Sequence, residues 1–86
     1  MKYTIKQRNR INDIVCELQG ELQKASWSII RDSGEVRLRT IANKIGRRSD
    51  SIHTSLSKLI ELKLVEKVEG VRGAYKVSKY ILEGEK

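Results

Sequence analysis

Ile41-Ala42-Asn43-Lys44-Ile45-Gly46-Arg47-Arg48-Ser49-Asp50-Ser51-Ile52-His53-Thr54-Ser55-Leu56-Ser57-Lys58-Leu59 is the stretch whose spacing decides the fold. Ile41 and Ile45 are four apart and share one face of a helix, while Ile52, Leu56 and Leu59 fall at i, i+4 and i+7 on one face of the next. Two helices that cross steeply through a short turn need a side chain small enough for close backbone approach and a residue that takes a positive φ easily. Ala42 supplies the first and Gly46 the second. The spacing predicts one helix over residues 38–45 and another over 49–62, with both apolar stripes buried together.

Beyond this pair the chain turns to short strands. Residues 64–69 and 74–78 read as a hairpin joined by Gly70-Val71-Arg72-Gly73, and residues 36–38 as a strand that pairs with it after a turn at Asp32-Ser33-Gly34. Toward the N-terminus, Ile11, Ile14, Val15, Leu18, Leu22, Ala25 and Ile29 keep helical spacing. Gly20 interrupts that run at a cost of about 1 kcal/mol in a helix interior, which predicts a bent pair over 6–19 and 21–31. Tyr80-Ile81-Leu82 is a short apolar patch in an otherwise polar tail over 79–86. The fold class expected is α+β, mainly helical with a small hairpin.

With 86 residues there is room for one domain, and a chain of this size buries only about 60–65% of its unfolded surface. There is no Phe, one Trp and three Tyr, so the core must come from Ile, Leu and Val, with Trp27 as core or interface. One cysteine rules out an intramolecular disulfide and a multi-cysteine zinc site; Cys16, beside the apolar stripe, reads as a small buried hydrophobe. No apolar run approaches the length of a membrane span or a signal peptide, so the expectation is a reduced, cytoplasmic protein. One His, one Cys and no convergent carboxylate pair leave no acid-base set, nucleophile or metal site, so neither an enzyme nor a cofactor is expected. There is also no room for a separate domain that senses a small molecule.

The formal charge is +7, with 18 Lys and Arg against 11 Asp and Glu. Between Arg37 and Lys58 stand six basic residues (Arg37, Arg39, Lys44, Arg47, Arg48, Lys58) and a single acid, Asp50. The positive field is centred on the helix pair, as a polyanion would require.

At these residues the chain resembles the winged helix-turn-helix superfamily of transcriptional regulators, the MarR and ArsR type broadly, over roughly its last two thirds. The family pattern is an Ile/Leu-Ala pair, a Gly four residues after the Ala, a β-branched residue six after the Gly, a Leu-rich helix end and a hairpin. Ile41-Ala42, Gly46, Ile52, Leu56 and Leu59 match it. The chain departs at Arg47, where an aliphatic residue is usual, at Arg37 and Arg48, where Ser or Thr caps are usual, and at Lys63, where a helix-ending Gly is common. The resemblance implies nucleoid-associated, double-stranded DNA binding, with the second helix of the pair in the major groove and the hairpin as the wing.

With Ile52, Leu56 and Leu59 inward, Asp50, His53, Thr54 and Ser57 fall on the outward face, with Lys58 to one side. These short polar side chains are the expected base contacts: His53 to guanine O6 or N7, Asp50 to cytosine N4, the Thr54 methyl to a thymine methyl. Arg37, Arg39, Arg47, Arg48, Ser49, Lys58 and Lys76 are the expected phosphate contacts, because cations at helix N-termini oppose the helix dipole unless a bound phosphate brings the two together. Arg72, between the glycines of the hairpin, is the expected minor-groove contact. Tyr75 and Tyr80 form no wider platform for stacking single-stranded bases.

The first helix of a winged domain needs only the second half of the N-terminal run. The first half is therefore expected to serve a homodimer through Ile11, Ile14, Leu18 and Leu22, dividing the chain into a dimerisation region (1–34), a helix-turn-helix with wing (35–78) and a tail (79–86). The leading expectation is a homodimeric, sequence-specific transcriptional regulator. The alternatives are a structural DNA-binding part, for a centromere or a replication origin, and a winged domain turned to protein contact, whose outward face would be acidic or apolar.

Overall fold

A computed structural model describes residues 3–84. In chain order these form α1 (Ile5–Val15), α2 (Glu21–Ser33), β1 (Glu35–Arg37), α3 (Leu38–Ile45), α4 (Ser49–Glu61), β2 (Val65–Lys67), β3 (Ala74–Val77) and α5 (Lys79–Glu83). The described residues are 61% helical with one small antiparallel sheet, an α+β arrangement. Residues 1–2 and 85–86 of the expected segments lie outside the described residues.

The helix pair forms where its spacing places it. Ile41 and Ala42 of α3 and Ile52, Leu56 and Leu59 of α4 are buried, and Ile45 is half-buried. Gly46 ends α3 at φ 78°, and a Cβ there would meet nothing within 4 Å, so backbone conformation and not space selects glycine. The next turn of the chain has no such help. Lys63 follows α4 at φ 66°, the one non-glycine with positive φ among the described residues, at the position where the family pattern has glycine.

Helix α2 is the hub, packed against α3, α4 and β3, with Trp27 and Ile30 in the core. Ser26 on its inner face is buried with no hydrogen-bond partner among the described residues. The short strand does pair with the hairpin, one residue earlier than expected. The sheet order is β1-β3-β2, with Val36 opposite Tyr75 and Lys67 opposite Tyr75 on the other side. Both hairpin strands are shorter than their apolar runs, since Gly70 and Gly73 at φ 81° and 73° shape a connection over 68–73.

The two ends of the chain correct the sequence reading. The N-terminal run parts into two helices at Gly20 as expected, with Gly20 the N-cap of α2, but α1 stops at Val15 and not at residue 19, and residues 16–20 cross between the helices. Ile11 and Leu18 are buried in this chain's own core, and Ile14 and Leu22 pack half-buried against it, so the segment is not surplus to the domain. Cys16 is exposed and not a core residue, because the helix ends beside it and its thiol donates to Asp13 O at 3.3 Å. The expected turn at Asp32-Ser33-Gly34 narrows to Gly34, since α2 continues through Ser33.

Within the expected tail, Lys79–Glu83 folds as α5. Ser78 caps it, accepting from Ile81 N–H at 3.3 Å while its own hydroxyl donates to Lys63 O. Ile81 is fully buried. Helix α1 holds the other end: Arg10 donates to Ile81 O at 2.7 Å and Gln7 to Leu82 O at 3.0 Å. Cationic and amide donors thus answer carbonyls that a short helix leaves open at its C-terminus. No helix among the described residues is long and apolar enough to cross a membrane.

Candidate nucleic-acid interface

The turn at Gly46-Arg47-Arg48 sets the start of α4 near the start of α3, and the hairpin returns to the same place. Leu38 N–H donates to Gly73 O at 2.8 Å, which ties the base of the hairpin connection to the first residue of α3. Between these three segments lies a cleft of about 410 Å3, lined by Arg37, Arg39, Thr40, Ser49, Arg72 and Gly73 among others. Three of its lining residues are arginines and none is acidic.

Local chemistry explains why this cleft is open to an anion. Arg37 and Arg48 occupy the N-cap positions of α3 and α4, and neither helix has a side-chain cap. A guanidinium has five donors and no acceptor, so an arginine at an N-cap cannot answer the first N–H groups of its helix. Apart from Leu38 N–H, which already donates to Gly73 O, what those N–H groups and the arginines share is a need for oxygen, preferably charged. A phosphate oxygen meets both demands at once.

Of the expected phosphate contacts, Arg37, Arg39 and Ser49 line the cleft, and Arg47 and Arg48 are exposed in the turn beside it. Arg72, expected in a minor groove, lines the same cleft. Thr40, absent from the expectation, lines it too; the signal available was its place in the first turn of α3 directly after Arg39.

Lys58 and Lys76 are brought elsewhere. Lys58 is half-buried, 3.1 Å from Glu61 Oε1, and lines a separate cleft with Cys16, Glu17, Gln19 and Gln23. Lys76 stands on the central strand in register with Glu35 and Glu66 and is 3.6 Å from Glu66 Oε2. A cross-strand carboxylate, that of Glu66, therefore stands beside the ammonium that was expected at a phosphate.

The outward face of α4 carries Asp50, His53, Thr54 and Ser57, all exposed as the helical step requires. Their hydrogen bonds are specific. The Thr54 hydroxyl donates to Asp50 O at 3.2 Å and that of Ser57 to His53 O at 3.1 Å. Arg48 stands 4.0 Å from the Asp50 carboxylate, with both side chains almost fully exposed. Among the described residues no group of three His, Cys, Asp or Glu is placed to hold a metal ion. Comparison with protein-family models, curated proteins and solved structures finds no match, so the chemistry of this surface has to be read from its own geometry.

Proposed function

We propose that this protein binds double-stranded DNA sequence-specifically as a winged helix-turn-helix, most simply as a nucleoid-associated transcriptional regulator. Helix α4 lies in the major groove, the cleft between α3, α4 and the hairpin takes the DNA backbone, and the connection over 68–73 is the wing. One observation carries the reading: three arginines and two uncapped helix N-termini converge on a cleft without a carboxylate. The element order from α2 to β3 and the sheet order β1-β3-β2 support it, because they leave α4 with one face buried on α2 and the other unobstructed.

Arg72 is assigned to the backbone with Arg37 and Arg39, not to the minor groove, since it shares their cleft. The homodimer of the sequence reading loses its stated reason, because Ile11 and Leu18 are already used within the chain. Bound sites decide that point and the choice of role together. Palindromic half-sites indicate a two-fold dimer on an operator, and tandem repeats indicate the array-forming, structural alternative.

The test of the proposal is titration with duplex DNA at rising salt. Five arginines releasing counterions should cost about 10²–10³ in affinity between about 50 and 200 mM salt. An affinity unmoved by salt would remove the proposal.

A further inference from the structure

The outward face of α4 presents hydrogen-bond acceptors along its midline. With Ile52, Ser55, Leu56 and Leu59 buried, the helical step sets Asp50, Thr54, Ser57 and Glu61 along the opposite line, with His53 and Lys58 on its flanks. Asp50 and Glu61 accept because they are carboxylates. Thr54 and Ser57 accept because of the fold: their hydroxyl protons go to the carbonyls of Asp50 and His53, at 3.2 and 3.1 Å, which leaves the oxygen lone pairs for an outside donor. No cation stands on that line. Arg48, at 4.0 Å from Asp50, and Lys58, at 3.1 Å from Glu61, sit beside the carboxylates and offset their repulsion from a polyanion.

We infer that α4 reads exocyclic amino groups, N4 of cytosine and N6 of adenine, and not the acceptor edges of the guanine and thymine paired with them. This rests on the placement of α4 in the major groove proposed above. In that groove only the two amino groups donate; guanine O6 and N7 and thymine O4 all accept. An acceptor set against Asp50 leaves two desolvated acceptors facing each other, one of them charged, which is a penalty and not merely a missing bond. Asp50 is in the first turn, where recognition helices meet base edges, and so selects cytosine; Thr54 and Ser57 take the amino groups that follow.

The experiment is selection of bound sites from random duplex DNA with the full chain. It is followed by replacement of the enriched bases with analogues lacking the amino group, 2-pyrimidinone for cytosine and purine for adenine. A core of cytosine and adenine on one strand is expected, weakened about tenfold by each deletion. Asp50→Ala should weaken the selected site yet strengthen binding to unrelated duplex, since one charge removes both discrimination and repulsion. Asp50→Asn should move the preference from cytosine to adenine, whose N6 and N7 fit a carboxamide. The Asp50 side chain is 93% exposed, so these variants leave the core intact. Indifference to the amino deletions, loss of binding on replacing the paired guanines by 7-deazaguanine instead, or an Asp50→Ala variant that loses affinity for every duplex alike would overturn the inference while DNA binding stands. A chain that binds no duplex overturns both.

Discussion

Thr4 and Gln7 close the start of α1 with a reciprocal capping box, and Arg10 and Gln7 close the end of α5 by donating to its carbonyls. Arg37 and Arg48 begin α3 and α4 with no side-chain cap at all. The same residue type is used in opposite senses. Arg10 meets the negative end of a helix, where the dipole favours it, while Arg37, Arg39 and Arg48 sit at positive ends, where each costs about 0.3–1 kcal/mol at low salt. Where α1 meets α5 the fold satisfies its own polar groups; where α3, α4 and the hairpin meet, it leaves N–H groups and guanidiniums for an oxygen from outside. The difference separates an arginine that serves the fold from those proposed to bind, without reference to charge alone.

The largest test of that contrast is at the satisfied side. Ile81→Ala deletes a fully buried side chain from α5 and should cost about 2–5 kcal/mol in urea unfolding, with the DNA affinity of the folded protein unchanged. A neutral result would return residues 79–86 to the status of a tail. At the open side, Arg39→Ala and Arg72→Ala should each weaken duplex binding about tenfold for all sequences and make the salt dependence shallower by about one counterion. The contrast between these two sites sharpens the assignment of Arg72. If Arg72→Ala changed the preference for A-tracts instead, its place would be the minor groove.

Arg48→Ser converts one kind of terminus into the other. A hydroxyl at the N-cap accepts from the helix where a guanidinium cannot, so the variant should gain about 0.5–1 kcal/mol of stability while losing affinity for DNA. Opposite signs in the two measurements are the expected outcome. A variant that lost stability would show that Arg48 serves the fold after all.

These cases also show what a sequence makes legible. The helix pair could be read nearly to the residue because its information is local: a stripe at i, i+4 and i+7, a small residue and one glycine fix both helices and the turn between them. The exposed residues of α4, Asp50, His53, Thr54 and Ser57, follow from the same step. The ends could not be read so, because their meaning is a contact across the chain. Gln7 reaches Leu82 and Arg10 reaches Ile81 over more than seventy residues, and no periodicity announces that a three-residue apolar patch will lie in a helix of five against them. Leu18 kept the spacing of a helix while sitting in a connection. Lys58 and Lys76 show a related limit: composition registers a cation, but only register and packing show that Glu61 and Glu66 stand beside it. The arginine cleft lies between these extremes, since its members were legible one by one but the convergence of Arg72 with Arg37 and Arg39 was not.

The last effect, modest and pH-dependent, is at Tyr3, on the satisfied side. Its hydroxyl donates to Arg31 O at 2.8 Å, close to the C-terminus of α2, and so joins the segment before α1 to the hub helix. Burial pushes the phenol above its ordinary value of 10.0; nearby Arg31 opposes the rise and Asp32 adds to it. A group whose pKa is higher in the folded state favours folding while it is protonated, so this contribution is complete below pH 10 and is lost as the pH rises through the folded value. Tyr3→Phe should cost about 0.5–1.5 kcal/mol at neutral pH through the lost hydrogen bond. The same variant should remove one proton from the alkaline fall in stability, so that the two unfolding free energies converge above pH 10. Curves that stayed parallel to the alkaline end would mean that the Tyr3 hydroxyl contributes no pH-dependent stability, and that the docking of α1 rests on its apolar contacts and on Gln7 and Arg10 alone.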